Sequence, residues 1–128
     1  MQYKLRYLLE ILLKLLYHRG EVKFMRERSQ RFDPRQTMQS DTFEIFHYKE
    51  PKPDMVEVHH HDFYEVYFFL SGNVQYNIES RSYLLTPGDV LLISPMELHQ
   101  PMFGPDRREY ERIVIWIDKQ FLEGFSLP

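Results

Sequence analysis

The stretch EVHHHDFYEVYFFLSG, residues 57–72, decides how the chain is read. Its aromatic and β-branched residues suit a pleated, half-buried surface, and Gly72 closes the segment at a turn. Side chains of a strand alternate between faces, so His59 and His61 share one face, and Glu65 has the same parity. That parity extends to Tyr67 and Phe69. A second stretch, TPGDVLLISPMELH (86–99), runs from a Pro-Gly-Asp turn through an apolar strand to His99, eleven residues after Gly88. The imidazoles of His59, His61 and His99, converging with the Glu65 carboxylate inside a small barrel, would make a site for a borderline divalent metal with open positions. The same four residues also serve as the polar lining of a ligand pocket that holds no metal. Spacing alone leaves both readings standing.

Outward from these stretches, from Phe43 onward, the chain has the texture of short strands at close intervals. The pattern predicts strands over Phe43–Lys49, Met55–His59, Phe63–Leu70, Val74–Glu79, Ser82–Leu85, Val90–Ser94 and Arg112–Asp118. Turn chemistry separates them at Pro51 and Pro53, at Ser71-Gly72-Asn73, at Pro87-Gly88-Asp89 and from Pro101 to Asp106. Such spacing indicates a sandwich or barrel rather than alternating β and α units. Lys119–Phe125 reads as the opening turns of a helix. On the last strand, Ile113, Ile115 and Ile117 form one apolar face, and Arg112, Val114, Trp116 and Asp118 the other. Trp116 is the sole tryptophan. Its indole could stack on a sugar face and donate its N–H to a hydroxyl, or it could simply pack. A pocket of His, Glu, Tyr and Trp suits a neutral, hydroxyl-rich ligand better than a phosphate, and no Gly-rich phosphate loop is present. Ser71, Ser80, Ser82 and Ser94 sit in turns or at strand edges and form no nucleophile elbow.

Composition narrows the class. The 128 residues make one domain, and the 43% hydrophobic and 27% charged shares fit an ordinary globular chain rather than a disordered or membrane-spanning one. Ten Phe and nine Tyr, with no Ala at all, favour sheet over helix. The absence of Cys excludes disulfides, cysteine-ligated zinc, iron–sulfur clusters and a thiol nucleophile. Formal net charge is −3, but residues 1–36 carry nine Lys/Arg against four Asp/Glu, and the remainder seven against fifteen. The acidic part is a poor partner for phosphates, because nucleic-acid affinity rests on clustered Lys and Arg.

The N-terminal third reads differently. Apolar residues dominate from Tyr3 to Tyr17, Glu10, Lys14 and His18 fall four apart, and Gly20 is a plausible stop, so a helix is expected. Glu10 and Lys14 interrupt the apolar run, and no small-residue cleavage site follows, which argues against a signal peptide and a membrane span. A helix that packs on the barrel or against a second copy is the reading preferred over one lying on a membrane surface. Residues 21–42 form a charged arm. The expected division is therefore an N-terminal helix and arm over 1–42 and a β domain over 43–128.

Two motifs add a resemblance. His59, His61, Glu65 and Gly72 resemble the first cupin motif, with Pro53 where a Gly is usual. Gly88 and His99 resemble the ends of the second, with Pro95 displaced by one and Phe103 in place of an Asn. The finer texture resembles the effector-sensing N-terminal domains of AraC-type transcription regulators: His59/His61, Tyr64-Glu65, Gly72, Tyr83 to Asp89, Pro95 and His99. The ending YERIVIWIDKQFLEGF resembles the last barrel strand of that group running into its linker helix. The resemblance covers Phe43 to Phe125 and implies a mainly β, cupin-type, jelly-roll-like barrel with an N-terminal helix and a short C-terminal one.

It further implies a non-enzymatic sensor, cytoplasmic and homodimeric, that binds a small sugar-like effector. The ligand-binding residues would be His59, His61, Glu65, Tyr67, His99 and Trp116. No cofactor is expected, although a divalent metal could be held by His59, His61, Glu65 and His99. In that family helix-turn-helix units follow the sensor. The chain stops at Pro128, so no nucleic-acid contact is expected from it, and none with a membrane. The alternative is a metal-dependent cupin enzyme of isomerase or dioxygenase type with those same four ligands.

Overall fold

The structure, a computed structural model, describes residues 36–125. The helix expected over residues 3–17 and most of the charged arm lie outside the described residues. Seven strands follow: β1 (Phe43–Glu50), β2 (Tyr64–Ser71), β3 (Val74–Ile78), β4 (Arg81–Leu84), β5 (Val90–Ile93), β6 (His99–Phe103) and β7 (Tyr110–Ile117). A short helix, α1 (Lys119–Glu123), closes the series. The strands form two antiparallel sheets, a four-stranded one in the order β1-β7-β2-β5 and a three-stranded one in the order β4-β3-β6.

Alternation along β2 and β7 builds the core. Glu65, Tyr67 and Phe69 face inward from β2, and Tyr110, Val114 and Trp116 from β7, to join Tyr48, Val74, Tyr76 and Ile93 between the sheets. The opposite faces, carrying Val66, Ile115 and Ile117, meet Leu122 of α1 in a second apolar layer with Phe121 and Phe125 packed against it. β2 and β7 are thus buried on both sides, which is why their sequences read almost continuously apolar. Full burial of a side chain such as Phe69 or Ile117 contributes about 1.5–3 kcal/mol. Asp118 caps α1, its carboxylate accepting from the Phe121 N–H at 2.9 Å, and the helix ends at Gly124 rather than reaching Phe125.

Turn residues act where the sequence places them. Gly72, at φ +135°, links β2 to β3, and a Cβ there would lie 3.3 Å from the Glu109 carbonyl oxygen and the Tyr110 ring. In the Thr86–Asp89 turn the Asp89 carboxylate accepts the Thr86 N–H at 2.8 Å. Two expectations need correction. Met55–His59 is not a strand: Pro51 and Pro53 precede it, and only His59 bridges, to His99. Pro101 belongs to β6, opposite Tyr76, rather than to a turn. Among the described residues the far side of β6 carries only an isolated bridge, His59 to His99, so the missing N–H of Pro101 breaks no ladder there. Among the described residues no helix is long and apolar enough to cross a membrane.

Candidate functional site

The two segments singled out by their histidines meet at one end of the interior. Reciprocal backbone bonds, His59 N–H to His99 O at 3.1 Å and His99 N–H to His59 O at 2.9 Å, lock the approach to β2 against the start of β6. The Met96 N–H donates to His61 O at 2.8 Å and pins the next turn. The result places His61 and His99 around Glu65. Their Nε2 atoms stand 3.8 and 3.7 Å from the two carboxylate oxygens. The His59 ring lies 4.2 Å from that of His99, centroid to centroid, and 6.3 Å from that of His61.

Backbone carbonyls set the tautomers. Nδ1 of His59 meets the Glu57 carbonyl at 2.8 Å, that of His61 meets Phe63 O at 3.1 Å, and that of His99 meets Glu97 O at 2.8 Å. A carbonyl only accepts, so each Nδ1 carries a proton, and a ring that holds no second proton presents an Nε2 lone pair. Among the described residues the buried Nε2 atoms of His61 and His99 have no hydrogen-bond partner. Burial outweighs the attraction of Glu65 and pushes the His99 pKa from 6.5 down to about 4, so the ring is neutral at pH 7. Burial also works to raise the Glu65 carboxyl, but the His61 and His99 rings and the Trp116 N–H outweigh it and hold the pKa below its ordinary value. At 3.8 Å the His61 Nε2 stands too far from Glu65 Oε1 for a hydrogen bond. The hydrogen bond proper comes from Trp116 Nε1, 2.8 Å from Glu65 Oε1.

Two orphaned lone pairs and an ionised carboxylate, all buried and with donor atoms within 4.8 Å of one another, fit a divalent cation. That donor group is His61, Glu65 and His99. His59 packs against it without belonging to it.

A cavity opens beside Glu65 and His59 and runs between the sheets. It leaves about 40 Å³ to the centres of water-sized molecules, room for a few waters. Tyr67 and Trp116 line it as their parity predicts, though Trp116 spends its N–H on Glu65. Tyr48, Tyr76, Tyr110 and Arg112 also line it, and the sequence reading does not single them out as site residues. Their inward parity on β1, β3 and β7 was the available signal. Arg112 pairs with Glu50 and lies over the rings of Tyr48 and Tyr110, while the Tyr67 and Tyr110 hydroxyls bond to each other.

The family described as the AraC-like ligand binding domain matches residues 42–123. The chain belongs to this family. The match begins one residue before β1 and ends with α1, so it spans the barrel with its closing helix. No curated protein sequence is matched. Among solved structures, a cupin protein from Bacteroides fragilis is 28% identical with a TM-score of 0.55, covering 66% of this chain and 73% of that one. The DMSP lyase DddQ from Ruegeria pomeroyi DSS-3 is 23% identical with a TM-score of 0.54, over 62% of this chain. The chain spans only 40% of that lyase. The polyketide cyclase RemF from Streptomyces resistomycificus is 20% identical with a TM-score of 0.52, over 62% and 56% of the two chains. These likenesses place the AraC-like ligand binding domain seen here among cupin barrels.

Proposed function

We propose that the chain is the effector-binding part of an AraC-type transcriptional regulator, with an N-terminal helix and arm over 1–42 and the sensor barrel over 43–128. The observation that carries this reading is a family match that spans the barrel, around a cavity walled by tyrosines, Trp116, His59 and Glu65. Such a wall offers ring faces and hydroxyls to a small, sugar-like effector, with His59, His61, Glu65, Tyr67, His99 and Trp116 as the binding residues. The regulator would work in the cytoplasm as a homodimer, and DNA contact would come from a part outside these residues. Binding would act by favouring one arrangement of barrel and flanking segments over another. Titration of the protein with a panel of sugars, followed through the fluorescence of Trp116, tests the reading. Saturable quenching by one of them supports it. A silent panel, joined to turnover of any of them, removes it.

The donor group of His61, Glu65 and His99 supports a second reading, a metal-dependent cupin enzyme of isomerase or dioxygenase type. A bound divalent metal would supply Lewis-acid polarisation or an activated oxygen ligand. The residues' own part is plain: Trp116 orients Glu65, and the Glu97 and Phe63 carbonyls fix the two imidazoles. Elemental analysis of protein purified without a tag separates the readings. Stoichiometric metal that is lost in His61→Ala favours the enzyme.

A further inference from the structure

Arg112 is a cation placed where a cation is costly. It projects inward from β7, its side chain is 5% exposed, and its guanidinium lies over the Tyr48 and Tyr110 rings, 4.5 and 4.1 Å from their centres. Two rings and a strand therefore hold the group rigid, and it forms part of the cavity wall. Its ion-pair partner, Glu50, is different in kind. Glu50 is the last residue of β1, immediately before Pro51, and its side chain is 24% exposed. The contact joins one guanidinium nitrogen, Nη1, to one carboxylate oxygen, Oε2, although guanidinium and carboxylate can pair through two parallel bonds. A fixed, buried receptor is thus engaged at one point by a carboxylate that can turn out into water.

We propose that Arg112 is the receptor for a carboxylate on the effector, and that Glu50 fills that place until the effector arrives. The effector class is then a small hydroxylated carboxylic acid, a sugar acid rather than a neutral sugar. This inference rests on the effector-domain reading and narrows it. Exchange of one carboxylate for another keeps the buried arginine neutralised, which avoids the heavy penalty of an uncompensated buried charge. The bonded hydroxyls of Tyr67 and Tyr110 stand beside the same end and supply donors and acceptors for the ligand's own hydroxyls. Glu65, at the opposite end, is already served by Trp116 and does not compete for the arginine.

The full chain is titrated with D-galacturonate and D-galactose, and with acetate and acetamide as the smallest charged and neutral pair, using Trp116 fluorescence as the reporter. The acids are expected to bind about tenfold or more tighter than their neutral counterparts. Glu50→Gln, which removes the internal competitor, should tighten acetate and galacturonate by about fivefold and leave galactose unchanged. Arg112→Gln should erase the preference. Because that variant strands Glu50 and can unfold the domain, the double variant Glu50→Gln/Arg112→Gln is measured beside it. Galactose binding as tightly as galacturonate overturns this inference and leaves the effector-domain reading in place. Unchanged acid affinity in Glu50→Gln overturns it too, as does silence toward all four compounds.

Discussion

Glu65 sits where burial would protonate it and its neighbours keep it ionised. Among the described residues the Trp116 N–H is the one hydrogen-bond donor within reach of that carboxylate, so Trp116→Phe leaves it buried and short of a donor. We expect a loss of about 1–3 kcal/mol in urea denaturation, largely recovered in the double variant with Glu65→Gln. His99 yields a pH dependence of definite sign. Its folded pKa of about 4 lies below the ordinary 6.5, so in the interval between them the unfolded chain takes up a proton that the folded one refuses. Stability therefore rises with pH across that interval, is complete above it, and is lost as pH falls toward 4. The loss should be on the order of 3 kcal/mol in the presence of a chelator, read from denaturation at pH 4.5 and 7.5. His99→Gln should flatten the slope; an unchanged slope would assign the effect elsewhere.

Strands were legible where both faces are buried or where parity is strict. The inward set of Glu65, Tyr67 and Phe69, and the two faces of β7, follow from alternation alone. The same rule, applied to residues 55–59, overreaches. Val56 and Val58, alternating with Glu57 and His59, look strand-like, but among the described residues the backbone after Pro53 pairs only at His59, and Met55 and Val58 are exposed. β6 was hidden for the converse reason, since Pro101 looks like a breaker until its unpaired side is known. The shared face of His61 and Glu65 was readable from parity, and the resemblance to the second cupin motif brought His99 to them, whereas nothing pointed to the Arg112–Glu50 pair, because it joins strands whose register no local pattern specifies. At the β2–β3 turn the backbone makes its own demand. Gly72→Ala must hold a side chain at φ +135° against Glu109 and Tyr110, while Gly88→Ala meets open space at φ +97°. The first should cost about 1–3 kcal/mol in thermal or chemical denaturation and the second less. Equal losses would mean that the contacts around Gly72 relax freely.

Across the whole molecule, Glu65 belongs to the four-stranded sheet and His99 to the three-stranded one, with His61 at the entry to β2. A cation held by all three would clamp the sheets together. Manganese, nickel or zinc at about 100 times its Kd should therefore stabilise the protein by about 2.7 kcal/mol, seen as a concentration-dependent rise in Tm. That rise should vanish in His61→Ala and survive in His59→Ala, because His59 stands outside the donor group.

The Asp118 N–H donates to the Thr42 carbonyl at 2.8 Å, immediately before β1 and immediately after β7. The polypeptide thus enters and leaves the barrel through a single peptide clasp. Seen this way the barrel is a loop with a shut neck, a shape that can be spliced into the surface turn of another protein without stretching its host.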